Sequence, residues 1–168
     1  GGDTLHAGNI TLKGNSHVNT TVGHAGAGVP TMNIYATYTV KVYEGSSLKS
    51  DCELGADTSS CDYAGIQCFS KKKGGGVYAC GGEIRSQIYP AGYDIGDKTL
   101  YAIDAPVVNI EGDGVVEGNI YNWYNPNEYY VNSAVCGYSG GGGRVRFNGA
   151  GILRLKMSTA KPEGSSKT

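Results

Sequence analysis

The sequence predicts an all-β protein: an antiparallel β-sandwich or barrel of about ten short strands with an extended N-terminal arm. Three observations lead there. The stretch Thr31–Glu44, TMNIYATYTVKVYE, places Met32, Ile34, Ala36, Tyr38, Val40 and Val42 on one parity and Asn33, Tyr35, Thr37, Thr39, Lys41 and Tyr43 on the other. Side chains of a strand alternate between faces, so this is one long strand with an apolar face and a polar, tyrosine-bearing face. Further strand-like runs recur along the chain, separated by Gly, Pro, Asn and Asp turn chemistry. No segment keeps a 3.6-residue period over three turns. Short strands spaced by roughly 8–12 residues favour a sandwich or barrel. A β-helix ranks below these because no fixed repeat period is visible.

The elements follow in order. Residues 1–30 read as an arm, a possible donor strand, with strand-like pieces at Thr4–Lys13 and His17–Val22 broken by glycines. Residues 31–168 form one β domain, opened by the long strand, which Glu44-Gly45-Ser46-Ser47 ends. Residues 48–63 show no clear period and read as a loop. Ala64–Phe69 and Gly76–Cys80 read as a hairpin around the charged tip Ser70–Gly75. Strands are then expected at Glu83–Tyr89, Thr99–Ile103, Val107–Glu111, Val115–Trp123, Tyr129–Cys136, Arg144–Asn148 and Ile152–Met157. Asn148-Gly149 between two alternating runs is a two-residue hairpin signal.

Composition narrows the function classes. Charged residues make up 17%, with 28 Gly and 13 Tyr, a balance common to secreted β proteins whose hydroxyl-rich surfaces need few charges. The net charge of −1 supplies no field to draw the chain to nucleic acid, and no apolar run is long enough for membrane insertion. A start at Gly1-Gly2-Asp3-Thr4 fits a processed product. The cysteines are Cys52, Cys61, Cys68, Cys80 and Cys136, with no C-x-x-C pair. Four lie close together in Gly-, Ser- and Asp-rich sequence, which suggests two disulfides and an oxidising compartment, with one thiol left over. Sequons at Asn9 and Asn19 are glycosylation candidates consistent with an extracellular glycoprotein.

Little here carries catalysis. His6, His17 and His24 all fall in the arm, so the body lacks the base a nucleophilic triad requires, and no enzyme is expected. No metal site or cofactor is expected either: Asn109–Gly114 places two carboxylates on a Gly turn but lacks the twelve-residue calcium loop. The strongest binding signal is the cluster Tyr121, Trp123, Tyr124, Tyr129 and Tyr130, interleaved with asparagines. Aromatic faces beside amides suit a sugar ring or a protein partner. The sequence therefore predicts a secreted, extracellular or cell-surface structural subunit. It would self-assemble as a homo-oligomer or polymer into a filament or surface layer, through strand donation by the arm. The alternative is a monomeric adhesin or effector binding carbohydrate or host protein through the Tyr121–Tyr130 cluster.

Overall fold

The computed structural model describes residues 5–25, 32–54, 63–70, 74–89, 99–121, 131–135 and 143–158. Thirteen strands run through them: β1 (Leu5–Leu12), β2 (His17–Ala25), β3 (Met32–Tyr43), β4 (Ser47–Leu54), β5 (Tyr63–Cys68), β6 (Gly76–Cys80), β7 (Glu83–Tyr89), β8 (Thr99–Asp104), β9 (Val107–Glu111), β10 (Val115–Tyr121), β11 (Val131–Val135), β12 (Arg144–Asn148) and β13 (Ile152–Ser158). No helix among the described residues is long and apolar enough to cross a membrane.

The all-β expectation holds, but every strand–strand pairing is parallel, which overturns the antiparallel sandwich or barrel. β1 lies along one edge of β3, while β5 and β6 share the other edge, against its first and second halves. β8 and β11 then stack on β5, and β9 and β12 on β6. A second sheet has the order β13-β10-β7-β4-β2. The described residues thus wind as a solenoid of five coils. Each coil gives one long or two short strands to the first sheet and one to the second.

The coils differ in length, which hid the repeat. Paired positions are 29 residues apart at Leu5 and Ile34 but 37 apart at Val115 and Ile152. Extra residues enter on the return from the second sheet to the first, and between the two short strands of the first sheet. The corner from first sheet to second is nearly constant. It reads Leu12-Lys13-Gly14-Asn15-Ser16-His17-Val18 in the first coil, Ile110-Glu111-Gly112-Asp113-Gly114-Val115-Val116 in the fourth, and Phe147-Asn148-Gly149-Ala150-Gly151-Ile152-Leu153 in the fifth.

Backbone hydrogen bonds climb this corner. The amide of Ser47 donates to the Ser16 carbonyl (3.0 Å), Glu83 to Ser46 (3.1 Å), Val115 to Gly82 (2.9 Å) and Ile152 to Gly114 (2.9 Å). The coils approach so closely that a Cβ on Gly82 would lie 2.5 Å from the Tyr43 carbonyl oxygen, and one on Gly151 2.6 Å from that of Gly114. Glycine at these corners answers to stacking as much as to turning.

Further corrections follow from the winding. Residues 48–54, placed in a loop by the sequence, belong to β4, paired with β2 and β7. β5 and β6 form no hairpin; each pairs with β3. Asn148-Gly149 joins β12 to β13, which lie in different sheets. Gly and Asn permit a sharp reversal, and local chemistry alone does not say whether the strands that flank it pair with each other. Residues 5–25 of the expected arm form β1 and β2, laid on β3 and β4 of the same chain.

The core is a set of apolar columns running along the solenoid axis. One is Ile10-Val40-Val77-Val108-Val145, a second Leu12-Val42-Ala79-Ile110-Phe147, and a third, from the second sheet, Val18-Leu48-Ile84-Val116-Leu153. In the three inner coils these side chains are fully buried. A polar seam interrupts them, where the Asn33 side-chain amide donates to the Thr20 carbonyl (3.2 Å) and the Ser50 hydroxyl (2.8 Å).

Candidate functional site

The same stacking builds ladders on the outer face of the first sheet. Thr11, Lys41, Tyr78, Asn109 and Arg146 occupy one column, and Tyr43, Cys80, Glu111 and Asn148 the next. Neighbours along these columns engage one another: the Lys41 ammonium sits 5.6 Å from the centroid of the Tyr78 ring. Asn109 donates to a Glu111 carboxylate oxygen across two positions of its own strand (2.7 Å). Nearer the strand starts, Thr39 donates to the Asn9 side-chain oxygen (2.8 Å), and the rings of His6 and Tyr35 meet edge to face at 5.8 Å. Gln67 donates to the buried Asp104 carboxylate (2.8 Å).

Where this face turns the corner, coils two to four form an open groove of about 400 Å³, lined by Tyr43, Glu44, Cys80, Gly81, Glu111, Gly112 and Asp113. Tyr43 is 41% exposed and presents its ring to solvent. The corner geometry explains the lining. Alternation turns Tyr43, Cys80 and Glu111 outward, and the tight turns after them project Glu44 and Asp113 beside them. Burial pushes the Cys80 thiol above its ordinary value, and the charge and hydrogen bond of Glu111 push the same way. Burial likewise raises Tyr78, against the opposing charge of Arg146. Sequence reading passed over Tyr43 and Glu44, because residues from three coils meet only once the coil spacing is known.

A second feature lies at the solenoid's last described coil. Its apolar columns emerge uncovered: Val145 is 37% exposed and Phe147 54%, with Leu155 at 54% beside them. Arg144, Arg146, Arg154 and Lys156 punctuate these strands, which carry no acidic residue.

The residues singled out from sequence fare unevenly. Of the aromatic cluster, Tyr121 ends β10, half-buried, with the Lys156 ammonium 5.3 Å from its ring centroid. Trp123, Tyr124, Tyr129 and Tyr130 lie outside the described residues, so the cluster's geometry carries no argument. The two disulfides are corrected: Cys52, Cys68 and Cys80 form no disulfide. Parallel stacking sets them beside Ile88, Ala36 and Glu111 instead of beside one another. Cys61 and Cys136 lie outside the described residues. The sequon residues Asn9 and Asn19 are both exposed, on β1 and β2. His6 and His17 are exposed, and the His17 ring pairs with the Ser47 hydroxyl at 2.7 Å. Among the described residues no three His, Cys, Asp or Glu side chains gather to hold a metal ion.

No protein-family model, curated protein or solved structure matches this chain.

Proposed function

We propose that the chain is a structural subunit that works outside the cell and associates with copies of itself along the solenoid axis, building a filament or layer. The observation that carries this reading is the last described coil, whose apolar residues Val145, Phe147 and Leu155 are exposed. Extending the internal register by one coil would set Phe147 on Leu12, Val145 on Ile10 and Leu153 on Val18 of a second copy. In the first and fifth coils alike, the residues flanking the corner are six positions apart, Leu12 and Val18 against Phe147 and Leu153. The basic residues of the last coil would fall on neutral acceptors, Arg146 on Thr11 and Arg154 on Asn19. A head-to-tail contact of this kind does not close, and so propagates. β1 is held by its own β3 and so is not a loose donor arm; its other edge, which no described strand pairs, would receive the neighbour. Low charge and the exposed sequons support an extracellular setting.

Light scattering across a concentration series tests the reading. Wild-type protein is expected to grow in mass with concentration, and Phe147→Lys/Leu155→Lys to remain monomeric with an unchanged circular-dichroism spectrum. A wild type that stays monomeric throughout, or a double variant that assembles equally well, rejects it. Deleting residues 1–24 is a poorer probe, since it uncovers the equivalent edge of the second coil.

A further inference from the structure

We propose that the corner groove of coils two to four is a saccharide-binding site: Tyr43 stacks on the apolar face of a sugar ring, and the carboxylates of Glu44, Glu111 and Asp113 accept hydrogen bonds from its hydroxyls. The chemistry of the lining selects this ligand. Apart from the weak thiol donor of Cys80 and the Tyr43 hydroxyl, its side chains offer acceptors only, so the ligand must be rich in donors. An anion is excluded by three carboxylates with no lysine or arginine among them. A point cation would want those carboxylates converged, and among the described residues no three acidic, thiol or imidazole groups are placed to hold an ion. Separated acceptors beside an exposed aromatic ring match a polyol that has an apolar face.

Size and shape agree. The groove's volume lies within the range of small-molecule sites. Running from Tyr43 in the second coil to Asp113 in the fourth, it spans two coil spacings, about 10 Å along the axis. That favours a chain of sugar units over a single ring. Hydrogen bonds within the protein fix the groove's wall. The Gly81 amide donates to the Glu111 carbonyl (3.0 Å), the Gly112 amide to the Asn148 carbonyl (3.0 Å), and the Asn109 amide holds the Glu111 carboxylate. A preformed site avoids ordering costs on binding.

The test is isothermal titration calorimetry of the whole chain with cello-, chito-, xylo- and manno-oligosaccharides, with spermine as the cationic arm. At least one oligosaccharide is expected to bind. Tyr43→Ala and Glu111→Gln should each weaken it about tenfold or more, while Tyr38→Ala, exposed on the same strand but outside the groove, leaves it unchanged. Tyr43 is exposed enough to be truncated without unfolding the chain. Should that variant nevertheless misfold, Glu44→Gln with Glu111→Gln carries the same expectation. Failure of every oligosaccharide to bind, equal binding by the groove variants, or binding of spermine alone overturns the proposal.

Discussion

At the scale of single residues, the clearest consequence concerns Cys68. Its thiol is buried in the column of Ala36 and donates to the Gly76 carbonyl at 3.4 Å. Burial pushes its pKa up to about 12 from an ordinary 9.0, the nearby Asp104 charge adding to the rise and a backbone hydrogen bond at Val40 opposing it. The thiolate is the nucleophile, so native Cys68 should resist iodoacetamide at pH 8 and react fully in denaturant. Mass mapping of the alkylated peptide checks this, and equal labelling in both states contradicts it. The raised value also links to stability. The folded state holds this proton where the unfolded state has released it, so the contribution is complete below pH 9 and drains away as pH climbs toward 12. The same residue shows why disulfides were misjudged from sequence. Crowding of Cys52, Cys61, Cys68 and Cys80 along the chain suggested bridges, but residues close in sequence are carried by the winding into separate columns.

At the scale of elements, strands were far more legible than the connections between them. β3, β7, β9 and β12 fall where alternation put them. β4 was missed because Ser47–Leu54 reads SLKSDCEL, and the inward position of Ser50 breaks the apolar parity. Ser50 is buried because Asn33 and the Gly65 carbonyl satisfy its hydroxyl, a partnership between residues fifteen or more positions apart. Connections differ in what they tolerate. Coil length already varies between the two short strands of the first sheet, whereas the corner arcs are stacked through Ser16, Ser46, Gly82 and Gly114. Inserting two residues between Ser70 and Gly74 should therefore cost only tenths of a kcal/mol, about what loop closure demands. One residue inserted between Gly112 and Gly114 shifts the parity of β10 against both neighbours and should cost several times more. Urea midpoints of the two variants measure the contrast; similar losses would mean that the corner is not the element that sets coil register.

At the scale of the molecule, a solenoid is stabilised by each coil's contact with its neighbours. The third coil is covered on both sides, while the fifth leaves Phe147 and Leu155 exposed. Hydrogen exchange should therefore be slowest in β5, β6 and β7 and fastest toward β12 and β13 in the monomer. Protection of the last coil that rises with concentration would come from assembly. What the sequence determined by itself was local: strand type, the two-sided character of Met32–Tyr43, and the Gly-rich breaks, each written in residues that adjoin along the chain. A corner signature repeated in all five coils, apolar residues five or six positions apart around at least one glycine, was also there to be read, although unequal coil lengths concealed it. Tertiary structure alone decided that the strands run parallel, that residues 5–25 belong to the body, and that Tyr43, Cys80 and Glu111 form one wall. The reason is physical. Alternation is identical in parallel and antiparallel sheets, so strand direction depends on hydrogen bonds between residues some thirty positions apart, and only the closed coil brings those residues within reach.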